Sequence, residues 1–254
     1  MKNWEKALHK FLEKYQSKAE FEGALLCGSY ATGNQNKFSD IDVHILISDK
    51  QNWRERGVAS VEGYLVEYFI NPPKKIRQEF REDYLNGGNA CANMFAYGII
   101  LSDKNGCVKK LQSEALEILK KHPRKWTAKE LSMDLYGIWN LKDELNSLIS
   151  EKKSFNAVYY ELLKALQDVY FKVKGIPKIS FTKAERLLSD PEFARKYHVQ
   201  KLPDKKFTQL LLSALHETDV LKIQKLYDFV LSAVGGFDIT DFKIKATLDN
   251  KKHS

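Results

Sequence analysis

Asp40 and Asp42 flank Ile41 at the entry to the apolar run Val43-His44-Ile45-Leu46-Ile47. Side chains along a strand alternate between faces, so the two carboxylates share one. Like charges held that close repel each other and call for a cation. A hard divalent ion such as Mg²⁺ suits the place, because it takes oxygen ligands and keeps positions for substrate phosphates. A turn or strand-opening role would explain Asp40, but not Asp42, which lies inside a strand where Asp is disfavoured. Upstream, the apolar run Ala24-Leu25-Leu26-Cys27 ends in Gly28-Ser29-Tyr30. Gly28 lets a bound group come close to the backbone, and Ser29 offers a hydroxyl and an amide where a helix is expected to begin, a favoured place for an anion. Metal-holding carboxylates beside a phosphate cradle point to nucleotide chemistry.

Gly28-Ser29, ten intervening residues and Asp40-Ile41-Asp42 together resemble the polymerase-β-like nucleotidyltransferase superfamily. Within it the sequence is most similar to the small bacterial antibiotic nucleotidyltransferases that act on aminoglycosides or lincosamides. The likeness covers residues 20–110 well and the rest in outline. It implies a third carboxylate on a neighbouring strand, and Glu67 in Tyr64-Leu65-Val66-Glu67-Tyr68-Phe69-Ile70 fits; a solvent-facing edge charge is the other reading of Glu67. It further implies transfer of a nucleoside monophosphate, AMP from ATP, to a hydroxyl of a small-molecule acceptor. Asp40, Asp42 and Glu67 would then be catalytic and hold two Mg²⁺ ions, with Glu67 also able to take the acceptor's proton. Gly28, Ser29 and Tyr30 would hold the nucleotide. Two other readings stand beside this one: an antitoxin-like module that adenylylates a protein, and a non-enzymatic nucleotide-binding scaffold.

The elements that must position these residues follow from periodicity and breakers. Residues 4–20 have helical spacing through Trp4, Leu8, Phe11 and Tyr15, and strands are expected at 23–27, 41–47, 57–61, 64–70 and 97–102. Glu62-Gly63 joins two of these strands as a hairpin. Helices are expected over 74–85 and 107–121, with a loop at 86–89. Beyond Pro123 the pattern is helical, over 127–152, 155–174, 182–189 and 205–233, ending in a loose tail over 238–254. His44 falls on the strand face of Asp40 and Asp42 and reads as a packed or solvent-bridged histidine, with an approach to the metals as the other reading; the aromatic stripe of 159–170 reads as core, and Glu161, Lys164 and Asp168 lie near one face, for which the resemblance implies a part in closing the cleft and surface pairing is the other reading. The expected fold is α+β: a nucleotidyltransferase domain, 1–122, with a small mixed sheet flanked by helices, then a helical substrate-closing bundle, 123–254.

Composition sets outer bounds. The net charge of +8 is uneven: residues 1–122 hold 18 basic and 16 acidic side chains, and 123–254 hold 23 and 17. No dense basic run with interleaved aromatics suggests nucleic-acid binding. Three scattered cysteines without ligand spacing suit a reducing, cytoplasmic setting, and no stretch approaches the roughly 20 apolar residues of a bilayer span. P-loop and nucleophile-elbow patterns are missing, which removes the usual ATPase and serine-hydrolase readings.

Overall fold

In the computed structural model, which describes residues 1–240 and 242–245, the protein is α+β. Its chain forms two compact units: residues 1–124 with 177–179 and 186–201, and, among the described residues, 125–176 with 180–185, 202–240 and 242–245. The segments 177–179 and 186–201 thus pack with the first unit, although they lie in the second half of the sequence.

The first unit is built on a five-stranded sheet: β1 (Phe21–Cys27), β2 (Ile41–Ile47), β3 (Glu55–Val61), β4 (Tyr64–Asn71) and β5 (Ile99–Asp103), in the order β3-β4-β2-β1-β5. Only the β2–β4 pair is parallel. The β3–β4 hairpin turns through Glu62 and Gly63, both at positive φ (51° and 81°), the conformation a two-residue primed turn requires. Ile41, Val43, Ile45, Val66 and Ile70 bury one face of the sheet under helix α1 (Asn3–Gln16), which contributes Leu8, Phe11 and Leu12. Leu25, Cys27 and Leu46 bury the other face under three further helices. These are α3 (Pro73–Leu85), α4 (Ala90–Ala96) and α5 (Cys107–Leu119), and the short α2 (Gly28–Thr32) follows β1 directly.

Several boundaries differ from the sequence expectation. The first helix stops at Gln16, β1 starts two residues earlier at Phe21, and α4 occupies a stretch for which no element was expected. Two more helices, α8 (Phe181–Ser189) and α9 (Pro191–Lys196), lead into 197–201. Asp190 opens α9 by accepting the Glu192 and Phe193 amide hydrogens, with Pro191 at its first position.

The second unit consists mainly of α6 (Ala128–Ser150), α7 (Asn156–Lys174), α10 (Lys205–His216) and α11 (Val220–Ala233). The expected single segment 205–233 is two helices, because Asp219 caps a new start by accepting the Leu221 amide hydrogen at 2.7 Å. Tyr159 and Tyr170 of α7 are fully buried, whereas Tyr160 is exposed. Glu161 and Lys164 pair with each other at 3.7 Å on an exposed face. Of the expected loose tail, 241 and 246–254 lie outside the described residues; within the rest, Phe242 stacks on Tyr136 at 5.0 Å. Among the described residues no helix is long and apolar enough to cross a membrane.

Candidate active site

β2 and β4 run parallel in a register that sets Asp42 beside Glu67 and His44 beside Phe69. Val43, Ile45, Val66 and Ile70 take the α1 face, so the alternation leaves Asp42, His44, Glu67, Phe69 and Asn71 together on the other. Asp40 stands just before β2. Asp40, Asp42 and Glu67, all half-buried, bring carboxylate oxygens within 4.8 Å of one another. Three carboxylates from two neighbouring strands therefore converge at one point.

Gly28 explains why β1 can end against this point. Its φ is +67°, and a Cβ there would lie 1.9 Å from Asp42 Oδ2. No side chain can replace that hydrogen without moving the carboxylate. Gly28, Ser29 and Tyr30 form the first residues of α2, beside the triad, and the Tyr30 ring packs at 5.0 Å from Trp4. Burial is the main cause that raises the Tyr30 hydroxyl pKa, with Tyr64 and Asp40 adding to it.

Arg56 of β3 makes a contact that the sequence reading did not include. It donates from Nη2 and Nε to Glu67 Oε1 at 2.6 and 3.1 Å, and its guanidinium lies 4.9 Å over the Phe69 ring. The Arg56 side chain is 70% exposed, so the pair forms a movable clasp on the third carboxylate. A register signal for it existed: a two-residue turn at Glu62-Gly63 pairs Val61 with Tyr64 and carries Arg56 opposite Phe69.

Tyr197 and Arg186 were also missed. Burial is the main cause that raises the Tyr197 hydroxyl pKa; Arg186 opposes the rise, and Asp42 and Asp40 add to it. The Tyr197 hydroxyl thus lies within electrostatic reach of the two aspartates. The anchors of the segment 186–201 are specific: Asn34 Nδ2 donates to the Phe193 carbonyl at 3.4 Å, and Asn93 Nδ2 to the Tyr197 carbonyl at 3.2 Å. Nothing in the periodicity of 182–201 indicated that it would pack with the sheet.

His44 lies one step farther along β2. It is 5% exposed, stacked on Phe69 at 4.9 Å and tilted against Phe95 at 4.8 Å. Burial depresses its pKa to about 4, so the ring is neutral at pH 7.

Residues 6–72 match the family model described as Polymerase beta, Nucleotidyltransferase. This stretch is similar to the polymerase-β-type nucleotidyltransferases. It takes in α1 from residue 6 on, the glycine-serine turn, both aspartates and Glu67. No curated protein matches the chain. A solved structure of a nucleotidyltransferase-like protein from Exiguobacterium sibiricum 255-15 is 14% identical, with a TM-score of 0.42 over 92% of this chain and 77% of that one.

Proposed function

We propose that the protein transfers a nucleoside monophosphate, AMP from ATP, to a hydroxyl of a small-molecule acceptor, with two Mg²⁺ ions held by Asp40, Asp42 and Glu67. The observation that supports this reading most is the convergence of the three carboxylates within 4.8 Å beside Gly28. The donor set suits the ion: magnesium–oxygen bonds of about 2.1 Å bridge oxygens up to about 4.2 Å apart, so closing by roughly half an ångström completes a shared site. Arg56 must release Glu67 as it does so.

Bound there, two Mg²⁺ ions would neutralise charge on the triphosphate and on the attacking and leaving oxygens. Asp40 and Asp42 orient the α-phosphate, while the Ser29 hydroxyl and the amides from Gly28 to Tyr30 hold the departing pyrophosphate. The acceptor oxygen forms a bond to the α-phosphorus as the bond to the β-phosphate bridging oxygen breaks, and pyrophosphate leaves. The proton of the acceptor hydroxyl passes to Glu67. The protein supplies mainly positioning and charge, as phosphoryl-transfer chemistry requires.

The test is AMP transfer from α-labelled ATP across a panel of hydroxyl acceptors. Asp40→Asn and Asp42→Asn should each lower the rate about 10²- to 10⁴-fold while the far-ultraviolet spectrum stays that of the parent. Near-parental turnover by either variant would end the assignment.

A further inference from the structure

The segment 186–201, which packs with the first unit, is fastened to the turn that ends β1. Asn34, one residue past the Gly33 that closes α2, makes the link. Its amide donates to the Ser29 carbonyl at 2.9 Å, and its Nδ2 donates to the Phe193 carbonyl at 3.4 Å. The Arg186 guanidinium lies 4.9 Å over the Phe193 ring, and the Tyr197 ring lies 4.8 Å from the same ring. We propose that Arg186 binds the γ-phosphate of the donor nucleotide and so selects a triphosphate over a diphosphate. The inference rests on the nucleotidyl-transfer reading above and names the side chain that meets the far end of its donor.

Three observations carry it. The first is place. In an in-line displacement the attacking and leaving oxygens lie on opposite sides of the phosphorus. The sheet order β4-β2-β1 sets the glycine-serine turn, which follows β1, across β2 from Glu67. With Glu67 taking the acceptor's proton, pyrophosphate leaves on the side of the turn, and Asn34 fastens Phe193 and the cation above it to that side. Tyr197 is a second link. After burial, the charges that shift its hydroxyl pKa are Arg186, which lowers it, and Asp42 and Asp40, which raise it. That hydroxyl is within electrostatic reach of the guanidinium and of both aspartates.

The second is availability. Arg186 is exposed, and among the described residues no carboxylate pairs with it. Arg195 and Lys196 of the same segment both pair with Glu192, at 2.7 and 3.7 Å, and Arg56 is held by Glu67. A guanidinium stacked on an aromatic face keeps its edge donors for a planar, bidentate partner such as phosphate.

The third is charge. Two divalent ions bring four positive charges, of which the three carboxylates cancel three. The remainder does not neutralise a triphosphate. The Ser29 hydroxyl and the neighbouring amides supply hydrogen bonds but no full charge, whereas a guanidinium supplies one. Charge-assisted bonds to phosphate are about twice as strong as neutral ones.

The full-length protein would be titrated calorimetrically with Mg²⁺-ATP and with Mg²⁺-ADP, no acceptor being present. The parent should bind ATP at least tenfold more tightly than ADP. Arg186→Gln should weaken ATP at least tenfold and change ADP less than threefold, which removes the preference. Arg186→Lys, which keeps the charge but not the fork, should fall between the two. Arg195→Gln, which removes a cation already paired, should leave both affinities within twofold. Equal weakening of ATP and ADP by Arg186→Gln would show a merely structural loss, and unchanged ATP affinity a solvated arginine. Either result overturns the inference, as does a parent without a preference for ATP or an equal effect of Arg195→Gln. The two readings fail separately. A parent that binds Mg²⁺-ATP, with Arg186→Gln behaving like it, sinks the γ-phosphate contact alone. A parent that binds neither nucleotide sinks nucleotidyl transfer and, with it, the role of Arg186.

Discussion

Gly28 and Arg56 show how strongly single residues constrain the triad. A Cβ at Gly28 would meet Asp42 Oδ2 at 1.9 Å, and its φ of +67° costs an L residue roughly 1–2 kcal/mol. Gly28→Ala should therefore lower the melting temperature by several degrees and transfer activity by about 10²-fold or more, because the carboxylate must move. Full activity in that variant would show that Asp42 does not hold the metal. Arg56 competes with a cation for Glu67, and exposed pairs contribute at most about 1 kcal/mol to stability. Arg56→Ala should accordingly leave the melting temperature nearly unchanged and raise apparent Mg²⁺ affinity severalfold, read by calorimetric titration. Unaltered affinity would mean that clasp and ion do not compete. Asp42 was legible in the sequence because a strand interior disfavours Asp, and Asp40 because the alternation puts it on the same face. Glu67 came from the resemblance together with its place in an apolar run. Arg56 was not, since an exposed arginine on an edge strand looks like any solvated charge until the hairpin register is followed.

At the scale of elements, the strands around the site were legible because their apolar alternation is strong. Short helices were not. α4 spans Ala90–Ala96, too few residues for a helical period to show, and α10 and α11 share one apolar pattern broken only at the Asp219 cap. Capping residues carry more information there than periodicity, and Asp204 makes this measurable. It caps α10 by accepting the Phe207 amide hydrogen at 2.9 Å, and it also accepts from the buried Tyr170 hydroxyl. The tyrosine's hydrogen bond, followed by that of the Phe207 amide, depresses the Asp204 pKa. A carboxylate with a depressed folded-state pKa contributes stability above its unfolded value of about 4 and loses it as pH falls through the folded value. Asp204→Ala should cost about 1–2 kcal/mol at pH 7, from the lost cap and an unpartnered buried hydroxyl. Asp204→Asn keeps the cap, so its melting-temperature deficit against the parent should shrink between pH 7 and pH 3. A deficit that stays constant over that range would remove the carboxylate's charge from the account.

At the scale of the whole molecule, the units follow contact rather than sequence order. The composition change near Pro123 suggested a single cut, but 186–201 packs with the sheet unit, held by interactions that no sequence pattern announces. His198 stacks on Tyr97 at 3.7 Å with rings 7° apart, and the segment carries its own small core of Leu187, Phe193 and Ala194. Burial, with a smaller contribution from Arg195, lowers the His198 pKa, as expected for a ring pressed against an aromatic face. If this packing defines the unit, loosening it from the sheet side should loosen 186–201 and nothing else in the second half of the chain. Tyr97→Ala removes the stacking surface, and an aromatic pair of this kind contributes about 0.5–1.5 kcal/mol. Amide hydrogen exchange over 191–199 in the full chain should then speed up about 2- to 10-fold, in proportion to that energy. Exchange in α10 and α11, which belong to the other unit, should keep the parental rates. An equal acceleration across 205–233, or none over 191–199, would show that the segment does not share the stability of the sheet, and Tyr197 would then have no fixed place near Asp40 and Asp42.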